Sequence, residues 1–175
     1  MIVLNLRTPE QFATIKSAEF GTLAEAARVT LWRFHPVPPP NTPGSWTHDG
    51  TCEEVELIWE KPSDDDHAVH ANEIDATEKA GYAVAMAVAD QLGFDVVGRL
   101  HHRSGGDWYV RPRGEPPNDR YKLEVSGIAR VHVGNDPATR LRIKVKQGKG
   151  GDLTRPGLAV VARFEDGLIL SESWR

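Results

Sequence analysis

The sequence predicts an α/β protein with a mixed sheet flanked by helices, and three observations predict it. Between Asp75 and Ser171, helical and strand-like segments follow in the order helix, three strands, helix, strands. The first of those helices is apolar on nearly every side, as a helix buried among other elements is. Ahead of it, EEVELIWE (53–60) alternates apolar and charged residues, the period of a half-buried strand. Runs of helix and strand of this kind pack as layers around one core.

Residues 1–29 are mixed: Leu4 and Leu6 alternate in a short strand-like start, and Thr8-Pro9-Glu10-Gln11 reads as a helix start with proline at the first helical position. The weak helix that follows is interrupted by Gly21, and TLWRF (30–34) is rich in strand formers. HPVPPPNTPGSW (35–46) carries five prolines and reads as a stiff connection that cannot join a central ladder. In EEVELIWE, Val55, Leu57 and Trp59 share one face, and the strand is expected to pair with TLWRF across the proline-rich loop. KPSDDDHAVH (61–70) is an acidic break. It divides the chain into an N-terminal α+β appendage, 1–70, and an α/β core, 71–175.

Within the core, DATEKAGYAVAMAVADQLG (75–93) is a helix by length and alanine content, with Asp75 as N-cap, Glu78 three residues on and Gly93 beyond its end. FDVVGRL (94–100), DWYV (107–110) and YKLEVSG (121–127) are strands. Asp136-Pro137 starts a second helix, expected to run to about Gln147 and stop at Gly148. LAVVARF (158–164) and LILSESW (168–174) complete the set.

The chain has 175 residues, enough for one domain and a modest appendage. No apolar run approaches the ~18 residues that span a bilayer, and the N-terminus lacks the basic region of a signal peptide. A single cysteine, Cys52, excludes an internal disulfide and a multi-cysteine zinc site. These features point to a cytoplasmic protein without membrane partners. The net charge of −4 is unevenly spread: −10 over residues 1–98, +7 over 99–155 and −1 over the last twenty. The basic segment suggests a polyanion partner, with solvated surface loops as the plainer reading.

The chemistry centres on two carboxylates. Asp107 opens the second core strand, directly after Gly105-Gly106, and Glu124 sits within an otherwise apolar third strand, on one face with Lys122 and Ser126. If the two strands form a hairpin, the carboxylates converge at its open end. They then repel unless a cation lies between them, and Mg²⁺ commonly fills that role with one or two protein carboxylates and water. Structural roles compete with this reading. Glu78 can be a capping residue, Asp107 a turn residue, and Glu124 the ion-pair partner of Arg142 or Lys144. His101-His102 lacks the spacing of a zinc motif, and Gly148-Lys149-Gly150-Gly151 follows a helix instead of preceding one, unlike a phosphate-binding loop.

This order of elements, with Glu78 in the first helix, Asp107 opening DWYV and Glu124 within KLEVSG, resembles the core of the PD-(D/E)xK nuclease superfamily over residues 75–171. The Gly-Asp-Trp … LEVSG pattern is also similar to that of a group of uncharacterised bacterial proteins. The superfamily resemblance implies a restriction-endonuclease-like fold and Mg²⁺- or Mn²⁺-dependent hydrolysis of DNA. It further implies Asp107 and Glu124 as metal ligands, help from Glu78, and a lysine two residues after the glutamate. That last position holds Ser126. Lys122, Lys144 or Lys146 could supply the cation instead. Arg99, Arg103, Arg111 and Arg113 are the candidates for contacts to DNA phosphates. The alternative is an inactive nuclease-like module that binds nucleic acid or a partner protein, with a homodimer or companion subunit helping to choose a target. The acidic 53–60 strand is expected either to cover the basic face of the same chain or to contact a partner.

Overall fold

A computed structural model describes residues 1–12, 19–36, 41–100, 106–116, 118–151 and 155–175. The elements are β1 (Ile2–Asn5), a 3-10 turn (Pro9–Phe12), α1 (Glu19–Phe34), β2 (Asn41–His48), β3 (Thr51–Ile58), α2 (Asp64–Val69), α3 (Glu73–Gln91), β4 (Phe94–Arg99), β5 (Trp108–Pro112), β6 (Tyr121–Ile128), α4 (Pro137–Lys149), β7 (Gly157–Arg163) and β8 (Leu168–Trp174). The strands form one eight-stranded mixed sheet in the order β1-β3-β2-β8-β7-β6-β5-β4. The order read from Asp75 onward is present as α3, β4, β5, β6, α4, β7, β8.

β4, β5 and β6 make an antiparallel meander. β6 then runs parallel to β7 through α4, the crossover that a parallel pair requires. β7 and β8 are antiparallel, and β8 runs parallel to β2, so strands from both sides of residue 70 share one sheet. Alternation along β6 sorts its residues between two faces. Leu123 and Val125 join the main core with residues of α1 and α3, whereas Lys122 and Glu124 reach toward α4. From Ala76 to Ala89 almost every residue of α3 is buried, in agreement with its apolar circumference. Val145 of α4 packs on Ala159 and Trp174 on the other face of the sheet.

Four local readings are corrected. TLWRF is the last turn and a half of α1 and does not pair with β3, whose neighbours are β1 and β2. Leu31 is fully buried there, and Trp32 meets Trp59 edge-on at 6.3 Å between centroids, so tertiary packing overrides strand propensity. The proline-rich stretch runs into β2, an inner strand, from position 41. Pro43 is tolerated because pairing to β8 begins only at Ser45, leaving β2 with one hydrogen-bonded neighbour at the proline. The N-cap of α3 is Asn72, whose side chain accepts from the N–H groups of Ile74 and Asp75 at 3.0 and 3.3 Å, so Asp75 lies inside the helix. Finally, α4 passes through Gly148. A Cβ there would lie 2.3 Å from the Trp174 ring, so that glycine is present for packing and the helix stops at Gly150.

The start of α4 is as read: Asp136 accepts from Thr139 N–H at 2.9 Å, with Pro137 following. Among the described residues, no helix is long and apolar enough to cross a membrane.

Candidate functional site

The register that pairs Trp108 with Leu123 makes Asp107 the next residue opposite Glu124. β5 begins at the next residue, Trp108, and the Asp107 side chain extends the ladder ahead of it. Its backbone N–H donates to Leu123 O at 2.9 Å, and its Oδ2 accepts from Val125 N–H at 2.8 Å. The carboxylate is thereby held at the end of the hairpin by a group that an extra strand residue would otherwise have bonded.

Glu124 lies one residue away on β6 and is 4% exposed. Lys144, reaching down from α4, places its ammonium 2.9 Å from Glu124 Oε2 and 3.6 Å from Asp107 Oδ2. Burial pushes the Glu124 carboxyl above the usual range. Lys144 opposes that rise through its charge and hydrogen bond, and Asp107 adds to it by repulsion. On the α3 side, Tyr82 Oη lies 3.1 Å from Glu78 Oε1 and 3.3 Å from Asp107 Oδ1. Burial first, then the charges of Asp107 and Glu78, push the Tyr82 hydroxyl up, so it keeps its one proton, which the two carboxylates share as acceptors.

α3 comes this close because its path crosses a glycine. A Cβ on Gly127 would lie 2.0 Å from Thr77 O, and one on Gly81 would lie 2.8 Å from Gly127 N. The close approach at Gly127 is therefore made by the α3 backbone. Between the N-terminal half of α3, the end of β6, the 129–136 loop and the first turns of α4 lies an open cleft of about 610 Å³. Glu78, Tyr82, Asp107, Ser126 and Lys144 line it, together with Arg130, His132 and Arg140.

The structure separates the candidate lysines. Lys122 is fully buried and donates to the carbonyls of Gly148 and Gly150 at 3.0 and 2.8 Å, closing the C-terminal end of α4. Lys146 is exposed, and only Lys144 of the three reaches both carboxylates. Of the arginines named from sequence, Arg111 and Arg113 lie away from the cleft, and Arg99 touches it only through Tyr82, whose ring it overlies at 5.2 Å. Arg99 pairs with Glu19 at 2.6 Å and sits over the Trp108 ring at 4.5 Å. Arg111 faces Asp95 at 3.8 Å, and Arg113 bonds Asp90 and Asp95. Three of the basic residues of 99–155 are thus answered by acids of α1, α3 and β4, and among the described residues none of the three pairs with β3. Arg103 and the His101-His102 pair lie outside the described residues.

Tyr82, Arg130, His132 and Arg140 were missed. Two helical spacings could have found half of them, since Tyr82 is four residues after Glu78 and Arg140 four before Lys144. Elsewhere, Ser171 Oγ, His48 and Asp49 form a serine–histidine–aspartate string, with contacts of 2.9 and 3.3 Å. Ser171 is buried and its Oγ also accepts from Trp46 Nε1 at 2.8 Å, so this cluster ties β2 to β8 and exposes no nucleophile.

Among the described residues no group of three or more His, Cys, Asp or Glu side chains is arranged to hold a metal. A cation at the hairpin end would rest on Asp107, Glu124 and water, a donor set that suits Mg²⁺ and falls short of an all-protein cage. The Lys144 ammonium already lies between the two carboxylates, which marks the position as one built for positive charge. No family model, curated protein or solved structure matches the chain.

Proposed function

We propose that the chain is a metal-dependent nuclease of the PD-(D/E)xK type, with Asp107, Glu124 and Lys144 at its centre and a restriction-endonuclease-like arrangement of α3, β4–β6, α4 and β7 around them. The observation that carries the reading is the placement of Lys144 Nζ between Glu124 and Asp107, with Lys144 and Asp107 lining the cleft. Lys144 takes the part that a lysine two after Glu124 would play, which answers the departure at Ser126. Mg²⁺ or Mn²⁺ on Asp107 and Glu124 would supply a Lewis acid that polarises a phosphate and acidifies a bound water. Asp107 is held for that role by Val125 N–H and the Tyr82 hydroxyl. Lys144 is placed to stabilise negative charge developing on the phosphate and to orient the attacking water. Glu78 acts through Tyr82 as a positioning residue.

A second reading is an inactive module that binds nucleic acid. It is favoured by the same contact, because Lys144 already neutralises the carboxylates without a metal. Mg²⁺- and Mn²⁺-dependent cleavage of supercoiled, linear and single-stranded DNA separates the two. The nuclease reading expects cleavage that disappears in Asp107→Asn, Glu124→Gln and Lys144→Met. Retardation of DNA without cleavage under any metal would replace it with the binding module.

A further inference from the structure

We infer that the cleft takes a single strand or a frayed end of nucleic acid, with its backbone along the α4 wall and its bases toward α3. The inference rests on the reading of the cleft as a nucleic-acid site and names its substrate class.

The two walls differ in charge. The wall formed by the 129–136 loop and α4 presents Arg130, His132, Arg140 and Lys144, whereas the α3 wall presents Glu73 and Glu78. Arg140 and Lys144 are four residues apart on one face of α4, about 6 Å along the helix axis. That is close to the separation of consecutive phosphates in an extended strand. If Lys144 meets the reacting phosphate, Arg140 meets its neighbour. Asn135 Oδ1 holds the Arg140 guanidinium at 2.7 Å, so the charge is placed and not free to wander.

A duplex would bring a second backbone against Glu73 and Glu78, where its phosphates are repelled. Bases, which carry N–H donors and apolar faces, suit that wall better. It offers carboxylate acceptors and the Ile74 side chain, 78% exposed at the cleft wall. A cleft of about 610 Å³ is on the scale of a ligand pocket and holds a nucleotide or two, not a double helix.

The test is fluorescence anisotropy of the full chain in EDTA, so that binding is read without cleavage. The probes are a short labelled oligo-dT and a blunt hairpin duplex of equal charge. The expected result is oligo-dT binding at least tenfold tighter than the duplex. Arg140→Ala should raise the oligo-dT Kd about tenfold and lower the salt slope by about 0.7, the loss of one phosphate contact on a single strand. Arg140→Lys should recover most of both, and thermal unfolding should show the variants folded. Equal or tighter duplex binding overturns the inference, as does an Arg140→Ala variant with unchanged slope. Cleavage is read separately: a metal-dependent nuclease without strand preference would retain the proposed function and lose this inference, and strand preference without cleavage would do the reverse.

Discussion

Val125 donates its backbone N–H to Asp107 Oδ2 at 2.8 Å, so a side chain takes the place of a strand carbonyl just before β5 begins. The bond fixes one carboxylate of the site by the same hydrogen-bonding demand that builds the sheet. It also makes Asp107 structural and chemical at once, and the two roles separate by substitution. Asp107→Asn keeps an oxygen acceptor for Val125 and removes the charge. It should unfold within about 0.5 kcal/mol of the native chain and lose divalent-metal binding. Asp107→Ala leaves a buried N–H without a partner and should cost about 1–3 kcal/mol more. Urea unfolding with and without Mg²⁺ compares the pair, and equal stabilities would remove the structural role.

Lys144→Met should destabilise the chain most at alkaline pH. Burial raises the Glu124 carboxyl and Lys144 opposes that rise, so removing the lysine lifts it further. An acid whose pKa is higher in the folded state contributes stability at low pH and loses it as pH rises through the folded value. The gap between variant and native chain should therefore open above the ordinary glutamate range, near 4.5, and reach about 3 kcal/mol where Glu124 is ionised and unpaired. Unfolding midpoints at pH 5 and pH 8 read the difference. A gap independent of pH would mean that Lys144 contributes packing alone.

Gly127→Ala should cost at least about 3 kcal/mol, because its Cβ would overlap the Thr77 carbonyl at 2.0 Å and backbone on both sides resists the shift. Any folded fraction should bind metal poorly, since α3 carries Glu78 and Tyr82 toward Asp107. Thermal unfolding and a Mn²⁺ titration measure the two effects, and native values for both would dismiss the close approach.

Arg113→Ala should change neither stability, by more than about 0.5 kcal/mol, nor affinity for DNA. Arg113 is half exposed and already bonded to Asp90 and Asp95, away from the cleft. Anisotropy against Arg140→Ala at the same salt is the comparison, and a larger loss at Arg113 would move the nucleic-acid surface to the β4–β5 side of the sheet.

Removing residues 1–70 would not test whether the acidic strand shields a basic face. Leu4, Leu23, Leu31, Val55, Leu57 and Trp59 belong to the same core as α3, and β2 is bonded to β8. The truncated chain would lose three of the eight strands of its sheet and helix α1 from its core, so any change in binding would report unfolding.

The element types and order from α3 to β8, the Asp136 cap and the meeting of Asp107 with Glu124 were legible in the sequence. Each depends on local signals: a period of 3.6 or 2, a cap within three residues, or a hairpin whose strands are neighbours in the chain. TLWRF was misread because its burial against Trp59 and α3 is non-local, and β2 because a proline forbids a ladder bond only where a second neighbour is present. The choice of Lys144 over Lys122 needed the position of α4 on the sheet, twenty residues beyond Glu124. The neutralisation of Arg99 and Arg113 needed their proximity to Glu19 and Asp90, which lie in other elements. By itself the sequence determined which residues are polar, where each helix and strand of the core lies and which two carboxylates face each other, since backbone hydrogen bonding and side-chain periodicity act over a few residues. Only the tertiary structure decided which cation sits between the carboxylates and which charges remain for a ligand, because Coulomb interactions and packing depend on distance in space and are indifferent to separation along the chain.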